Sequence, residues 1–108
     1  MNIFAPKKRQ KYGNQKTDGF DSAKEARRYK DLVLLQKAGH ISELRCQVPF
    51  VIVPKTTQFR EARYIADFTY IDMNGKYTVE DTKGFATREF ILKKKLMFHV
   101  FGIEIFLT

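Results

Sequence analysis

Hydrophobic positions along the chain fall into two helical runs and several extended ones. Ala26, Tyr29, Leu32, Val33 and Leu35 recur at helical spacing. Ser22 ahead of them suits an N-cap, Glu25 follows three residues later, and Gly39 closes the segment. The pattern predicts a helix over 22–38. Ile41 to Val53 is extended in character and ends at Pro54. Pro49 inside it predicts an edge strand or a bulge, because proline offers no N–H to a ladder. Residues 54–60 are polar and predict a loop. Ala62 to Asp72, rich in Tyr, Ile, Phe and Thr, predicts a second strand. Asn74-Gly75 predicts a two-residue type I′ hairpin turn, with Lys76 to Lys83 as the antiparallel partner and Gly84 as its end. Thr87 to about Phe101 predicts a second helix with Phe90, Ile91, Met97, Phe98 and Phe101 on one broad face. Gly102 caps it, and Ile103 to Leu107 predicts a short last strand.

The order is αβββαβ. A right-handed crossover after the second helix can lay the last strand parallel to the one ending at Lys83. The expected fold class is α/β, a single domain whose small mixed sheet is flanked by helices. No internal repeat and no low-complexity segment interrupts it.

Composition narrows the picture. The 108 residues suffice for one domain with its own core, and 44% hydrophobic and 14% aromatic content excludes wholesale disorder. Cys46 is the single cysteine, so no disulfide scaffold is expected, and His40 and His99 add too little for a zinc site. No apolar run approaches the roughly 18 residues of a membrane span. The N-terminus is basic and lacks an apolar core, so no signal peptide is expected. A soluble, intracellular protein is the expectation, without a membrane partner.

Twenty Lys and Arg against twelve Asp and Glu leave a formal charge of +8, which favours polyanionic partners. Lys7, Lys8, Arg9, Lys11 and Lys16 all precede the first acidic residue, Asp18. With Pro6, Gly13, Asn14 and Gly19 among them, residues 1–19 read as a flexible basic arm ahead of a domain at 20–108. Arg88 and Lys93 to Lys95 form a second basic cluster. This distribution points to nucleic acid, with the arm lysines, Arg9, Arg88 and Lys94 as candidate DNA contacts.

Candidate chemistry lies on the second and third strands. Side chains alternate across a strand, so Tyr77, Val79, Asp81 and Lys83 share one face and Glu80 points away. Asp67 shares its face with Arg63, Ile65, Thr69 and Ile71. Counting back from the hairpin puts Asp67 near residue 82, within one residue of Asp81, a difference a bulge could absorb. Two carboxylates converging on a partly buried face repel and need a cation. Oxygen ligands suit Mg²⁺, with Mn²⁺ as substitute. A lysine two residues on can hold a water or stabilise charge on a phosphate. These are the parts of a phosphodiester hydrolase. Glu25 has two readings, as the N3 residue of a capping box and as a third carboxylate aimed at the same region. Plain structural readings also exist: Asp67 and Asp81 as ion-pair partners of Arg63 or Lys83, Lys94 snorkelling between Phe90 and Phe98, and Cys46 as a small core residue.

With Glu25 on the first helix, Asp67, thirteen intervening residues and then Asp81-Thr82-Lys83, the chain resembles the PD-(D/E)XK nuclease superfamily. More narrowly it resembles small phage-encoded members. Phe20 to Ala26, Gln47-Val48-Pro49-Phe50, Tyr64-Ile65-Ala66-Asp67-Phe68 and Val79 to Gly84 carry that likeness. Ala66 stands where the motif's name has proline, and Asp81 takes its less common option. The superfamily includes restriction enzymes, transposon end-cleaving subunits and Holliday-junction resolvases. The resemblance implies a restriction-endonuclease-like core over residues 20–108. It implies Asp67, Asp81 and the Thr82 backbone carbonyl as metal ligands, with Glu25 binding directly or through water. Lys83 would orient the attacking water. The activity implied is Mg²⁺-dependent DNA cleavage. So short a chain leaves little room for a sequence-reading domain, which favours branched DNA or junctions and a homodimer that cuts two strands. A phage-encoded member would work in the host cytoplasm. Two rivals are a non-catalytic DNA-binding module of the same fold and a subunit that cuts only with a protein partner.

Overall fold

The computed structural model describes residues 22–82 and 87–108. The first helix, α1, spans Ala23–Lys37. Ser22 caps it, with extended backbone and Oγ accepting from the Glu25 N–H at 3.0 Å. Past its end, Gly39 takes φ 83 while His40 N–H reaches back to the Leu35 carbonyl at 2.9 Å.

Three strands follow: β1 at Ser42–Val53, β2 at Ala62–Ile71 and β3 at Tyr77–Asp81. Helix α2 covers Arg88–Phe101, from Thr87 at its N-cap to Gly102 at its C-cap, and β4 is Phe106–Leu107. The sheet order is β1-β2-β3-β4, antiparallel across the first three and parallel between β3 and β4. The mixed sheet and parallel last strand match the sequence pattern. Pro49 sits on β1, an edge strand, where its missing N–H costs the ladder least.

The hairpin between β2 and β3 departs from expectation. Gly75 has φ 80, but Asn74 keeps negative φ, which a type I′ turn forbids. Gly75 N–H bonds the Asp72 carbonyl at 3.0 Å, and Asp72 N–H bonds the Lys76 carbonyl at 2.9 Å. This is a three-residue loop, a type I turn closed by a glycine bulge. Asp72 enforces it: its Oδ1 accepts from the N–H groups of Asn74 and Lys76, at 2.8 and 2.9 Å. The extra loop residue shifts the register by one. Ile71 pairs with Tyr77 and Phe68 with Glu80. Continued one step past its last pair, that register aligns Asp67 with Asp81 rather than residue 82.

Two other expectations are narrowed. On α2 only Phe90 and Met97 are buried, while Ile91, Phe98 and Phe101 are exposed. A four-stranded sheet this narrow covers one stripe of the helix, not a broad face. The last strand is shorter than Ile103–Leu107, because Ile103 and Ile105 pack into the core beneath α2 before the chain reaches β3.

The core has two parts. Phe90 and Met97 of α2 pack with Ile52, Tyr64, Ala66 and Val79. Leu32 of α1 packs with Ile41, Cys46, Phe68 and Tyr70. On β3, Val79 joins the α2 side while its neighbour Glu80 reaches Arg28 of α1, so the helices lie against opposite faces there. Among the described residues no helix is long and apolar enough to cross a membrane.

Candidate functional site

Ala66 and Phe68 sit two residues apart on β2, yet the first packs with α2 and the second with α1. Their β1 partners, Val48 and Cys46, flank Gln47, whose φ is 53. The β1–β2 ribbon rolls over at this point, and Asp67 lies at the roll. Its carboxylate is therefore placed between the two helical layers instead of against one.

Three acidic side chains come together around that point. Asp81, the last residue of β3, is 1% exposed; its Oδ2 accepts from the Tyr64 hydroxyl at 2.6 Å. Asp67 Oδ2 accepts from both the N–H and the hydroxyl of Thr82, at 2.9 and 3.0 Å. Glu25, 6% exposed, presents Oε2 to Gln47 Nε2 at 2.8 Å. Its backbone N–H meets the Ser22 cap, but its carboxylate turns to Gln47 instead of back to the Ser22 N–H, so only the Ser22 half of the expected capping box is formed.

The electrostatics are those of crowded carboxylates. Asp67 is pushed up to about 8, first by burial, then by the adjoining Asp81 through hydrogen bonding and repulsion, then by Glu25; the Thr82 N–H opposes the shift. Cys46 is pushed up to about 11, mainly by burial and then by the charges of Glu25 and Asp67. Tyr64 is raised well beyond its ordinary range, by burial and by its bond to Asp81, so it remains a hydroxyl donor.

All the donors here are oxygens, which suit a hard divalent cation. Among the described residues no three His, Cys, Asp or Glu form a ready-made ion cluster. The fit is instead to an ion such as Mg²⁺, which characteristically takes one or two carboxylates and keeps waters. Asp67 and Asp81 could supply that pair, and a cation there would oppose the burial and the repulsion that raise Asp67.

Glu80 points to the other face, as strand alternation requires. It is 0% exposed and accepts from Arg28 twice, at 2.6 and 3.0 Å, from the Tyr70 hydroxyl at 2.7 Å and from Thr108 Oγ1 at 3.2 Å. Thr108 N–H also bonds the Asp81 carbonyl at 3.0 Å. The end of β3 is thus pinned on both sides, Glu80 by α1 and the last strand, Asp81 by Tyr64.

Several expected residues stand elsewhere. Lys83, Lys7, Lys8, Arg9, Lys11, Lys16 and the arm at 1–19 lie outside the described residues. Arg63 pairs with Glu61 at 3.4 Å, on the exposed side of β2. Arg88 is exposed. Lys94 lines a shallow groove with Ile91, Phe98 and Ile105. Lys93 instead borders a cleft of about 340 Å³ with Arg63, Ile65 and Tyr64, the last of which touches Asp81. Gln47, Tyr64 and the Arg28–Glu80 pair were not singled out by residue pattern. Gln47, Tyr64 and Glu80 each fall within a phrase that carries the resemblance, but nothing in those phrases marks the individual side chain, and Tyr64 reads as an ordinary strand aromatic.

No curated protein and no solved structure matches the chain. A family model described as "Protein of unknown function (DUF1064)" matches residues 7–105. That span takes in Glu25, Gln47, Asp67, Asp81 and both helices, and the chain belongs to the DUF1064 family.

Proposed function

We propose that the protein is a metal-dependent DNA endonuclease of the PD-(D/E)XK type, acting by in-line hydrolysis of a phosphodiester. The supporting observation is the meeting of Asp67 and Asp81 across β2 and β3, with the buried Glu25 carboxylate close enough to raise Asp67 further. Asp67 and Asp81 would hold Mg²⁺, with the Thr82 carbonyl beside them. Bound there, the ion would supply charge stabilisation at the phosphoryl group and a more acidic water. Thr82 fixes the Asp67 carboxylate with two hydrogen bonds, and Tyr64 fixes Asp81. Glu25 adds a third acidic group for direct or water-mediated contact. Lys83, two residues beyond Asp81, is assigned the orientation of the attacking water. The net charge of +8 supports a polyanionic substrate. Within DNA, the preferred class is branched duplex cut by a symmetric dimer.

The test uses purified protein with labelled four-way junction and matched linear duplex, in Mg²⁺, Mn²⁺ or EDTA, beside Asp81→Ala. Metal-dependent cutting of the junction, lost in the variant, is expected. Equal cutting of both DNAs keeps the nuclease and removes the preference for branches. Binding without cutting, in any metal, transfers the assignment to a DNA-binding module or a partner-dependent subunit.

A further inference from the structure

Among the described residues, two other than glycine take positive φ, both on β1: Glu43 at 56 and Gln47 at 53. Glu43 lies where the β1–β2 register slips between Ser42 and Arg45, so a bulge accounts for it. Gln47 has no such cause. The pairs on either side of it, Cys46 with Phe68 and Val48 with Ala66, keep the same register. Glutamine has no intrinsic liking for the left-handed region. Strain of this kind persists only where the surroundings over-determine it, and it collects at functional sites. What the conformation achieves here is visible. The chain rolls over at Gln47, and Gln47 Nε2 donates to Glu25 Oε2 at 2.8 Å.

We infer that Gln47 is a positioning residue of the carboxylate site. Its amide holds the Glu25 carboxylate facing the Asp67–Asp81 pair, and the left-handed backbone at 47 is the cost of presenting it. This rests on the metal-binding reading proposed above. Among rotamers open to a helix-borne glutamate, a donor on the facing strand selects the inward one. An ion held by Asp67 and Asp81 then meets a third carboxylate already oriented, as outer hydrogen bonds orient ligands at metal sites generally.

The inference separates stability from binding. Glycine accepts φ near 53 without a Cβ clash, which offsets part of the cost of taking a donor from the buried Glu25 carboxylate. Gln47→Gly should therefore still fold in EDTA, with a lowered melting temperature, yet bind Mn²⁺ about 10-fold or more weakly. Asparagine also tolerates the left-handed region but is one methylene too short to reach Glu25. Gln47→Asn should lose the same affinity and guards against a folding defect in the glycine variant. Because Gln47 acts through Glu25, adding Gln47→Gly to Glu25→Gln should weaken binding no further.

Mn²⁺ affinity would be read by electron paramagnetic resonance of the free ion, on wild type, both Gln47 variants, Glu25→Gln, the double variant and Asp81→Asn. Weakened binding by both Gln47 variants, with no added loss in the double variant, is the expected result. Wild-type affinity in both Gln47 variants, or additive losses in the double variant, overturns the role of Gln47 while leaving the metal site, provided Asp81→Asn abolishes binding. Failure of wild type itself to bind Mn²⁺ removes the metal reading and this inference with it.

Discussion

The Tyr64 hydroxyl donates to Asp81 Oδ2 at 2.6 Å, linking the core under α2 to the end of β3. The tyrosine ring is 3% exposed and lies against Phe50 and Phe90, so the phenol has little freedom to choose another partner. Tyr64→Phe keeps the packing and removes only the donor. A buried carboxylate deprived of one hydrogen bond costs about 1–3 kcal/mol. Urea unfolding in EDTA should show a loss in that range. An unchanged midpoint would mean that Asp81 is held in place by other contacts.

Asp67 makes the metal-free fold sensitive to pH. Its folded-state value is raised, to about 8 against an ordinary 3.8. Between those values the folded protein holds a proton that the unfolded chain has released. Stability therefore falls as pH rises through that window, and the full penalty is present above about 8. Melting temperature in EDTA should decline from pH 5 to pH 8 more steeply in wild type than in Asp67→Asn, a variant that cannot ionise. Equal slopes would show that Asp67 is not the group responsible. Divalent cations should counter the decline, since binding between two carboxylates favours their charged forms.

Glu80 anchors the opposite face. With its carboxylate wholly buried and matched by both arms of the Arg28 guanidinium, removing one partner is expensive. Arg28 is 26% exposed along its side chain, which puts Arg28→Ala near the lower end of the usual cost, about 3 kcal/mol. Chemical denaturation would measure it. A loss below about 1 kcal/mol would mark the pair as an ordinary surface bridge.

The hairpin shows how closely the site could be read from residues, and where that reading stopped. Counting from a two-residue turn placed Asp67 opposite residue 82. The structure adds one loop residue, and its register, carried one step past Phe68–Glu80, aligns Asp67 with Asp81. Asn-Gly carries the strongest short hairpin signal, yet Asp72 ahead of it binds two backbone N–H groups and favours the type I geometry. The expected energetics differ between the two turns. Asn74 has negative φ, so Asn74→Ala should change stability by no more than about 0.5 kcal/mol. Gly75 has φ 80, so Gly75→Ala should cost more than about 1 kcal/mol. Thermal melts of the two variants would reverse that order if Asn74 adopted the left-handed conformation.

Helices, strands and the polarity of the sheet were legible because each rests on local signals: Ser22 as a cap, Gly102 as a stop, Pro49 at an edge. The nearness of Asp67 to Asp81 was legible only to within one residue, because the hairpin count was off by one and strand alternation breaks beside Asp67. Arg28 and Glu80 were not legible as a pair, since 52 residues separate them and no periodicity connects a helix residue to a particular strand partner. Gln47 was hidden for another reason. Its side chain has no preference for positive φ, so nothing local announces the roll that carries Asp67 between the two layers.

The structure also sets two basic residues of α2 apart. By phase on α2, Lys94 fell in the apolar stripe and was the candidate contact. In the structure it lies in a groove with Ile91 and Phe98, whereas Lys93 borders the cleft shared with Arg63 and Tyr64. Lys93 and Arg63 each face a neighbouring glutamate, Glu89 at 3.0 Å and Glu61 at 3.4 Å. Such exposed pairs are weak and readily exchanged for phosphate. If DNA enters along this cleft toward Asp81, Lys93→Ala and Arg63→Ala should each weaken binding to all sequences alike and lower the salt dependence by about one phosphate contact. Lys94→Ala should leave that slope unchanged. Titration of labelled duplex at several salt concentrations gives the slopes. A loss confined to Lys94→Ala would place the DNA path over the α2 groove and away from the cleft beside Tyr64.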